Sequence, residues 1–191
     1  MTKKSILLCG VGGQGTVLAS KLIAGAAMAK EIPVMSAETI GMAQKGGSVT
    51  SFIRMGEGIA SPMIPKGEAD LIIAFEPAEA VRMLPYLRSC GAVIVNEAAV
   101  KPVTAVLSGS GYEGPEMIDF LREKVENLTV VNTEEACSAL GSPKVANMVL
   151  LGAALRKADL PIEVADIREA LKKRLREPLW EMNFRALDYV R

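Results

Sequence analysis

The sequence predicts an α/β protein built on a doubly wound, mainly parallel sheet, with helices on both faces and a helical C-terminal extension. Three observations carry this prediction. Short β-branched runs alternate with longer helical stretches, the pattern of strands joined through helical crossovers. Residues 71–75 (LIIAF) are apolar without interruption, as suits a strand covered on both faces. A strand-like run at residues 5–9 enters a glycine-rich turn and then a helix-forming stretch, which is how doubly wound folds commonly begin.

Taken in order, residues 5–9 (SILLC) form the first strand, and residues 13–30, rich in Ala, Leu, Ile and Met, form a helix. Residues 33–37 and the alternating SVTSFIRM of 48–55 supply two more strands, and the Gly- and Pro-rich stretch 56–67 is an irregular surface connection. The 71–75 strand leads into a helix at 76–88, stopped by Ser89-Cys90-Gly91. Residues 92–96 (AVIVN), 103–107 and 128–132 (LTVVN) complete the strands. Three helices follow at 144–158, 163–175 and 178–190, with prolines near the starts of the last two. No internal repeat or low-complexity linker interrupts residues 1–191, so one domain is expected.

Composition excludes several kinds of chemistry. Half the residues are apolar, and 22 basic residues balance 22 acidic ones, which points to neither nucleic acid nor an anionic membrane as partner. No apolar run approaches the ~20 residues of a membrane span. The opening Met1-Thr2-Lys3-Lys4 passes directly into a strand, without the apolar region of a signal peptide; a cytoplasmic location is expected. There is no histidine, hence no histidine-based triad, metal ligand or proton shuttle. Cys9, Cys90 and Cys137 are the only three cysteines and stand far apart. They supply neither the four thiolates of a usual iron–sulfur cluster nor a structural zinc site. Each is read as an inert thiol, and no catalytic or metal-ligating residue is assigned to the chain.

The turn after the first strand reads Gly10-Val11-Gly12-Gly13-Gln14-Gly15-Thr16. This is G-x-G-x-x-G with a strand before and a helix after, the context that gives the pattern physical meaning. Gly10 permits the turn, Gly12 close backbone approach, and Gly15 helix packing near the strand. Free N–H groups at the helix start suit an anion. Glu38 follows about twenty residues farther on, where a dinucleotide-binding protein places its ribose-binding carboxylate. A stand-alone NAD- or flavin-binding reductase is therefore one reading; a close strand–helix turn that binds nothing is another. Against the reductase, the chain leaves little room for a substrate domain.

The segment Glu38-Thr39-Ile40-Gly41-Met42-Ala43-Gln44-Lys45-Gly46-Gly47-Ser48 joins two strands with small and polar residues. Gly46 and Gly47 allow close approach to a ligand or another surface. Gln44, Lys45 and Ser48 offer donors for a phosphate or a partner's carbonyls. In a doubly wound sheet this segment and the first glycine loop follow carboxyl ends of strands, on one edge.

GVGGQGTVLASKLIAGAA followed by ETIGMAQKGGSVTSFIRMG resembles the gamma subunit or gamma domain of 2-oxoacid:ferredoxin oxidoreductases. The Gly-Met-Ala-Gln-Lys-Gly-Gly-Ser form is most similar to the small subunit of indolepyruvate ferredoxin oxidoreductase. The resemblance continues through LIIAFEPAEAVRML, through KVANMVLLGAAL with its Asn147, and into MNFRALDYV, so that it spans essentially the whole chain. It implies a division of labour. A larger companion chain carries thiamine diphosphate and 4Fe-4S clusters and decarboxylates the oxoacid. Coenzyme A accepts the acyl group, and ferredoxin takes the electrons through the complex; this chain alone holds no cofactor. On this reading the backbone of Gly12, Gly13, Gln14, Gly15 and Thr16 binds a phosphate-like group, as from coenzyme A, or seats the companion's backbone. Gln44, Gly46, Gly47 and Ser48 lie against the companion near the reaction centre. Glu38 orients one of these loops or meets a basic group on the companion.

Other features read as structural. Trp180, Phe184, Leu187 and Val190 share a helix face that packs inward, and the ten methionines are adaptable packing. Lys172, Lys173, Arg174 and Arg176 form a solvated basic face. Glu76 and Glu134-Glu135 are acids in the first turn of helices.

Overall fold

The computed structural model describes residues 3–40, 46–100, 112 and 114–190. Six strands form one sheet in the order β2-β3-β1-β4-β5-β6. They are β1 (Lys4–Val11), β2 (Val34–Ile40), β3 (Ser48–Met55), β4 (Ala69–Ala74), β5 (Leu87–Asn96) and β6 (Asn127–Val131). β1, β4, β5 and β6 pair in parallel. β3 runs antiparallel to both neighbours, with Val11 opposite Ser48 and Ile40 opposite Val49. The sheet is thus mainly parallel with one reversed strand, and β2 is the outer arm of a hairpin rather than the direct neighbour of β1.

The helices among the described residues are α1 (Thr16–Ala29), α2 (Pro77–Met83), α3 (Gly114–Lys124), α4 (Thr133–Leu140), α5 (Ala146–Lys157), α6 (Val164–Lys172) and α7 (Trp180–Leu187). Strand alternation sorts the sheet residues onto two faces. Ile6, Leu8, Ile53, Leu71, Ile73 and Ile94 point to the layer built by α1 and α4–α7. Leu7, Cys9, Phe52, Ile72, Val93 and Val95 point to α2 and α3. β1 is therefore followed by a helix on one face and β4 by a helix on the other. The β1–β4 boundary is the switch point of the sheet, the place where such folds open a crevice at the carboxyl edge.

The C-terminal helices complete a layer rather than standing apart. Arg156 on α5 reaches Asp188 beyond α7 at 2.9 Å, and the Trp180 indole N–H donates to the Leu175 carbonyl at 2.8 Å. The Arg168 guanidinium lies 5.4 Å from the centre of the Phe184 ring, so part of that face is spent on a cation–π contact.

The observed elements differ from the expected ones in places. The helix foreseen over 76–88 ends at Met83, where Leu84–Tyr86 forms a 3-10 turn and β5 begins at Leu87. Pro85 lacks the N–H that an α-helix would need there. Helix α3 was not foreseen; it buries only a narrow stripe containing Ile118 and Leu121 among charged residues. The strand expected at 103–107 lies outside the described residues.

Candidate binding site at the carboxyl edge of the sheet

β1 runs straight into the glycine loop, and its ladder with β3 does not stop at the last strand residue. The Gly12 N–H donates to the Gly47 carbonyl at 2.8 Å, and the Gly46 N–H donates to the Gly12 carbonyl at 3.4 Å. The two glycine segments found in the sequence are therefore hydrogen-bonded to each other. Gly12 spends its donor on this pairing and does not offer it to a ligand. The first N–H groups of α1 have no intrahelical partner, and Gly15 stands at the cap in a left-handed conformation, φ 83°. That end keeps the donors and the positive dipole end an anion would meet.

Gln14 is turned inward. Its side-chain oxygen accepts from the Val11 N–H at 2.8 Å, and its amide donates to the Phe75 carbonyl at 2.9 Å. It ties the end of β1 to the end of β4, and Gly10 makes room for it: a Cβ at Gly10 would come within 2.7 Å of the Gln14 oxygen. The Phe75 carbonyl also accepts from Asn96 at 3.3 Å, and the Asn96 oxygen accepts from the Thr133 hydroxyl at 2.7 Å. One buried polar chain thus links the glycine loop, β4, β5 and the start of α4. Asn96, at 6% exposure, is fully engaged in it.

Across the β1–β4 switch point lies a cleft of about 410 Å³, lined by Gly13, Gln14, Gly15, Asn96, Lys144 and Asn147 among others. Asn147 opens α5 and packs directly on Gly15, where a Cβ would stand 2.4 Å from its amide nitrogen. Lys144 precedes α5 and gives this wall its cation. Asn96 and Lys144 were not singled out from sequence. Strands, turns and helices that lie far apart along the chain bring them together, and no local spacing marks them.

Glu38 is not where a ribose-binding carboxylate would be. It pairs opposite Ser51 on the outer strand, and β3 separates it from β1 by two strand spacings, roughly 10 Å. Its side chain forms no hydrogen bond or ion pair with another described residue. Thr16 is buried, and its hydroxyl has no hydrogen-bond partner among the described residues. Gln44 and Lys45 lie outside the described residues.

On the α2 face, Ser48 donates to Glu79 at 2.7 Å, and Arg82 contacts both. Glu76 is buried; it accepts the Glu79 N–H at 3.0 Å and the Tyr112 hydroxyl. Burial first, and then the bond to Glu76, raises the Tyr112 phenol above its ordinary range. Burial also raises Cys9, with the nearby Glu79 charge adding to the effect, so that thiol stays protonated. Among the described residues no group of three or more Cys, Asp or Glu converges as metal ligands do, and no helix is long and apolar enough to cross a membrane.

Comparison with known proteins places the chain in a family. Residues 5–191 match the family model described as pyruvate ferredoxin/flavodoxin oxidoreductase. The chain is 39% identical over 183 residues to the indolepyruvate oxidoreductase subunit IorB of Methanothermobacter thermautotrophicus, covering 95% of this chain and 93% of that one. It is 36% identical to the IorB subunit of Archaeoglobus fulgidus, covering 96% and 91%. The keto/oxoacid ferredoxin oxidoreductase gamma subunit of Geobacter sulfurreducens shares the fold, with a TM-score of 0.72 at 21% identity over 98% of this chain and 94% of that one. A 2-oxoglutarate:ferredoxin oxidoreductase of Magnetococcus marinus, solved with 2-oxoglutarate, coenzyme A and succinyl-CoA, gives a TM-score of 0.72 at 18% identity; 99% of this chain corresponds to 30% of that one. These similarities run over nearly the full length and give a stand-alone reductase no support. The chain belongs to the pyruvate ferredoxin/flavodoxin oxidoreductase family, as one of its small subunits.

Proposed function

We propose that the chain is the small subunit of a cytoplasmic oxidoreductase that converts indolepyruvate or a related aryl 2-oxoacid, with coenzyme A, to acyl-CoA and carbon dioxide and passes electrons to ferredoxin. Thiamine diphosphate and the 4Fe-4S clusters belong to a larger partner subunit, and residues 1–191 act as one domain that assembles with it. The observation that carries this reading is the joining of the two glycine segments through Gly12, Gly46 and Gly47. One continuous backbone edge serves two neighbours: the larger subunit on the Gly46–Gly47 side, and a phosphate-bearing ligand on the Gly13–Thr16 side. The cleft with Lys144 and Asn147 supports the second role, because it sets a cation and an amide donor facing the start of α1. Coenzyme A, with its phosphates, is the member of the reaction mixture that fits such a wall. Glu38, half-buried on the edge strand β2, meets a basic group of the larger subunit. The reaction itself is chemistry of the cofactors held by the partner; this chain binds and orients.

Co-purification of the tagged chain from its native host tests the assignment. The expected result is a brown complex with a larger thiamine- and iron–sulfur-bearing chain, active on indolepyruvate with coenzyme A and ferredoxin. A colourless chain arriving alone and binding NAD(H) or FAD tightly would overturn it. Within the complex, Lys144→Glu should raise the KM for coenzyme A about tenfold or more, by replacing attraction to phosphate with repulsion, and leave the KM for the oxoacid unchanged. An unchanged KM for coenzyme A would remove the cleft from the reaction.

A further inference from the structure

Helix α2 carries a group of side chains that the cleft does not use. Glu79, whose side chain is 14% exposed, accepts the Ser48 hydroxyl and pairs with Arg82 one turn along the same helix. Arg82 also reaches the Ser48 hydroxyl. Ser48 opens β3 directly after Gly47, whose carbonyl accepts from Gly12. The end of the second glycine segment is thus held twice, by its backbone to the first loop and by its side chain to α2. The helix is itself anchored at its start, because buried Glu76 accepts the Glu79 N–H and the Tyr112 hydroxyl. An isolated Ser–Glu hydrogen bond at a strand start does little; here it closes a ring of named contacts around the segment expected to face the larger subunit.

We propose that Glu79, acting with Arg82 through Ser48, is a positioning residue that holds Gly46 and Gly47 in the form the larger subunit recognises. The inference rests on the reading that this segment meets the partner. The carboxylate is the centre of the device, since it alone accepts from both Ser48 and Arg82, and charge-assisted bonds of this kind are the strong ones. Its loss leaves the β1–β3 ladder intact, because that ladder is made by backbone groups and needs no side chain. Segment placement and fold stability therefore separate.

The test compares Glu79→Ala, Glu79→Gln, Ser48→Ala and the double variant Ser48→Ala/Glu79→Ala in the full chain. The affinity for the co-expressed larger subunit and the melting temperature of each chain are measured. Glu79→Ala should weaken association about tenfold with melting within about 3 °C of the parent. Glu79→Gln, which still accepts from Ser48, should recover part of that loss. The double variant should be no weaker than the worse single, because both remove the same link. Additive losses, unchanged association, or loss of association in step with melting would each overturn the proposal. A bulky replacement at Gly47 separates the two levels: if it disrupts assembly while Glu79→Ala does not, partner recognition by the segment stands and the positioning role falls. If neither disrupts assembly, the underlying reading falls first.

Discussion

Replacing Gly15 with alanine tests the geometry at the heart of the cleft. Gly15 has φ 83°, a left-handed conformation that costs an L-residue about 1–2 kcal/mol. A Cβ there would lie 2.4 Å from the Asn147 amide nitrogen and 3.0 Å from its Cγ, and relieving such overpacking costs about 1–3 kcal/mol. The sum centres on about 3 kcal/mol, or a fall in Tm of roughly 6–12 °C for a chain of this size. Guanidinium and thermal unfolding of Gly15→Ala, Asn147→Ala and the pair measure it. The double variant should be about 1–2 kcal/mol more stable than the sum of the singles, because truncating Asn147 removes the main obstacle but not the backbone strain. A Gly15→Ala protein within about 0.5 kcal/mol of the parent, or strict additivity, would refute the packing of α5 on the glycine loop.

Three further outcomes follow from contacts already described. Asn96→Ala should destabilise the chain by about 2–4 kcal/mol in guanidinium unfolding, since it leaves the buried Thr133 hydroxyl without its acceptor and opens the link between β4 and β5; a change below about 1 kcal/mol would deny Asn96 its place as a hub. The Tyr112 phenol has a raised folded-state pKa, by burial first and the Glu76 bond second, so its contribution is complete below the unfolded value near about pH 10 and is lost as pH rises through the folded value. Tyr112→Phe should therefore flatten the decline of Tm with pH above about 10, and equal slopes in the two proteins would contradict this. Among the thiols, exposed Cys90 should react fast with an aromatic disulfide reagent while buried Cys9 should react only on unfolding; rapid native labelling of a Cys90→Ser chain at Cys9 would refute its burial.

Much of the fold is legible in the sequence because its signals are local. The alternation of SVTSFIRM gives β3 at its observed bounds, Ser48–Met55, and the apolar LIIAF gives most of β4. Strand order is not local. Nothing within 48–55 announces that this strand lies between β1 and β2 and runs against both, and that insertion removes Glu38 from the glycine loop. Helix α3 was missed for a different reason: only Ile118 and Leu121 of its four large apolar side chains are buried, among five charged residues, too thin a stripe to stand out. At the site, the two glycine segments were readable as loops on one edge, since both follow carboxyl ends of strands. Their bonding to each other was not readable, because it depends on the antiparallel register of β1 and β3. From sequence Gln14 has a role through its backbone only, and its side chain has a structural one. The structure folds it back because Gly10 leaves the space. Asn96, Lys144 and Asn147 share a wall only after three crossovers have been completed.

The reversed strand also bears on how this surface can diversify. β2 and β3 are consecutive arms locked by pairing, β2 to β3 and β3 to β1. Changes in the length of a connection between such arms add only slowly growing closure entropy, and they leave the register of both arms untouched. The sequence between the arms can therefore vary while Gly46, Gly47 and Ser48 keep the start of β3 attached to the glycine loop and to α2. The architecture thus separates the sequence between the two arms from the paired root that holds them, so that one can change without the sheet being redesigned.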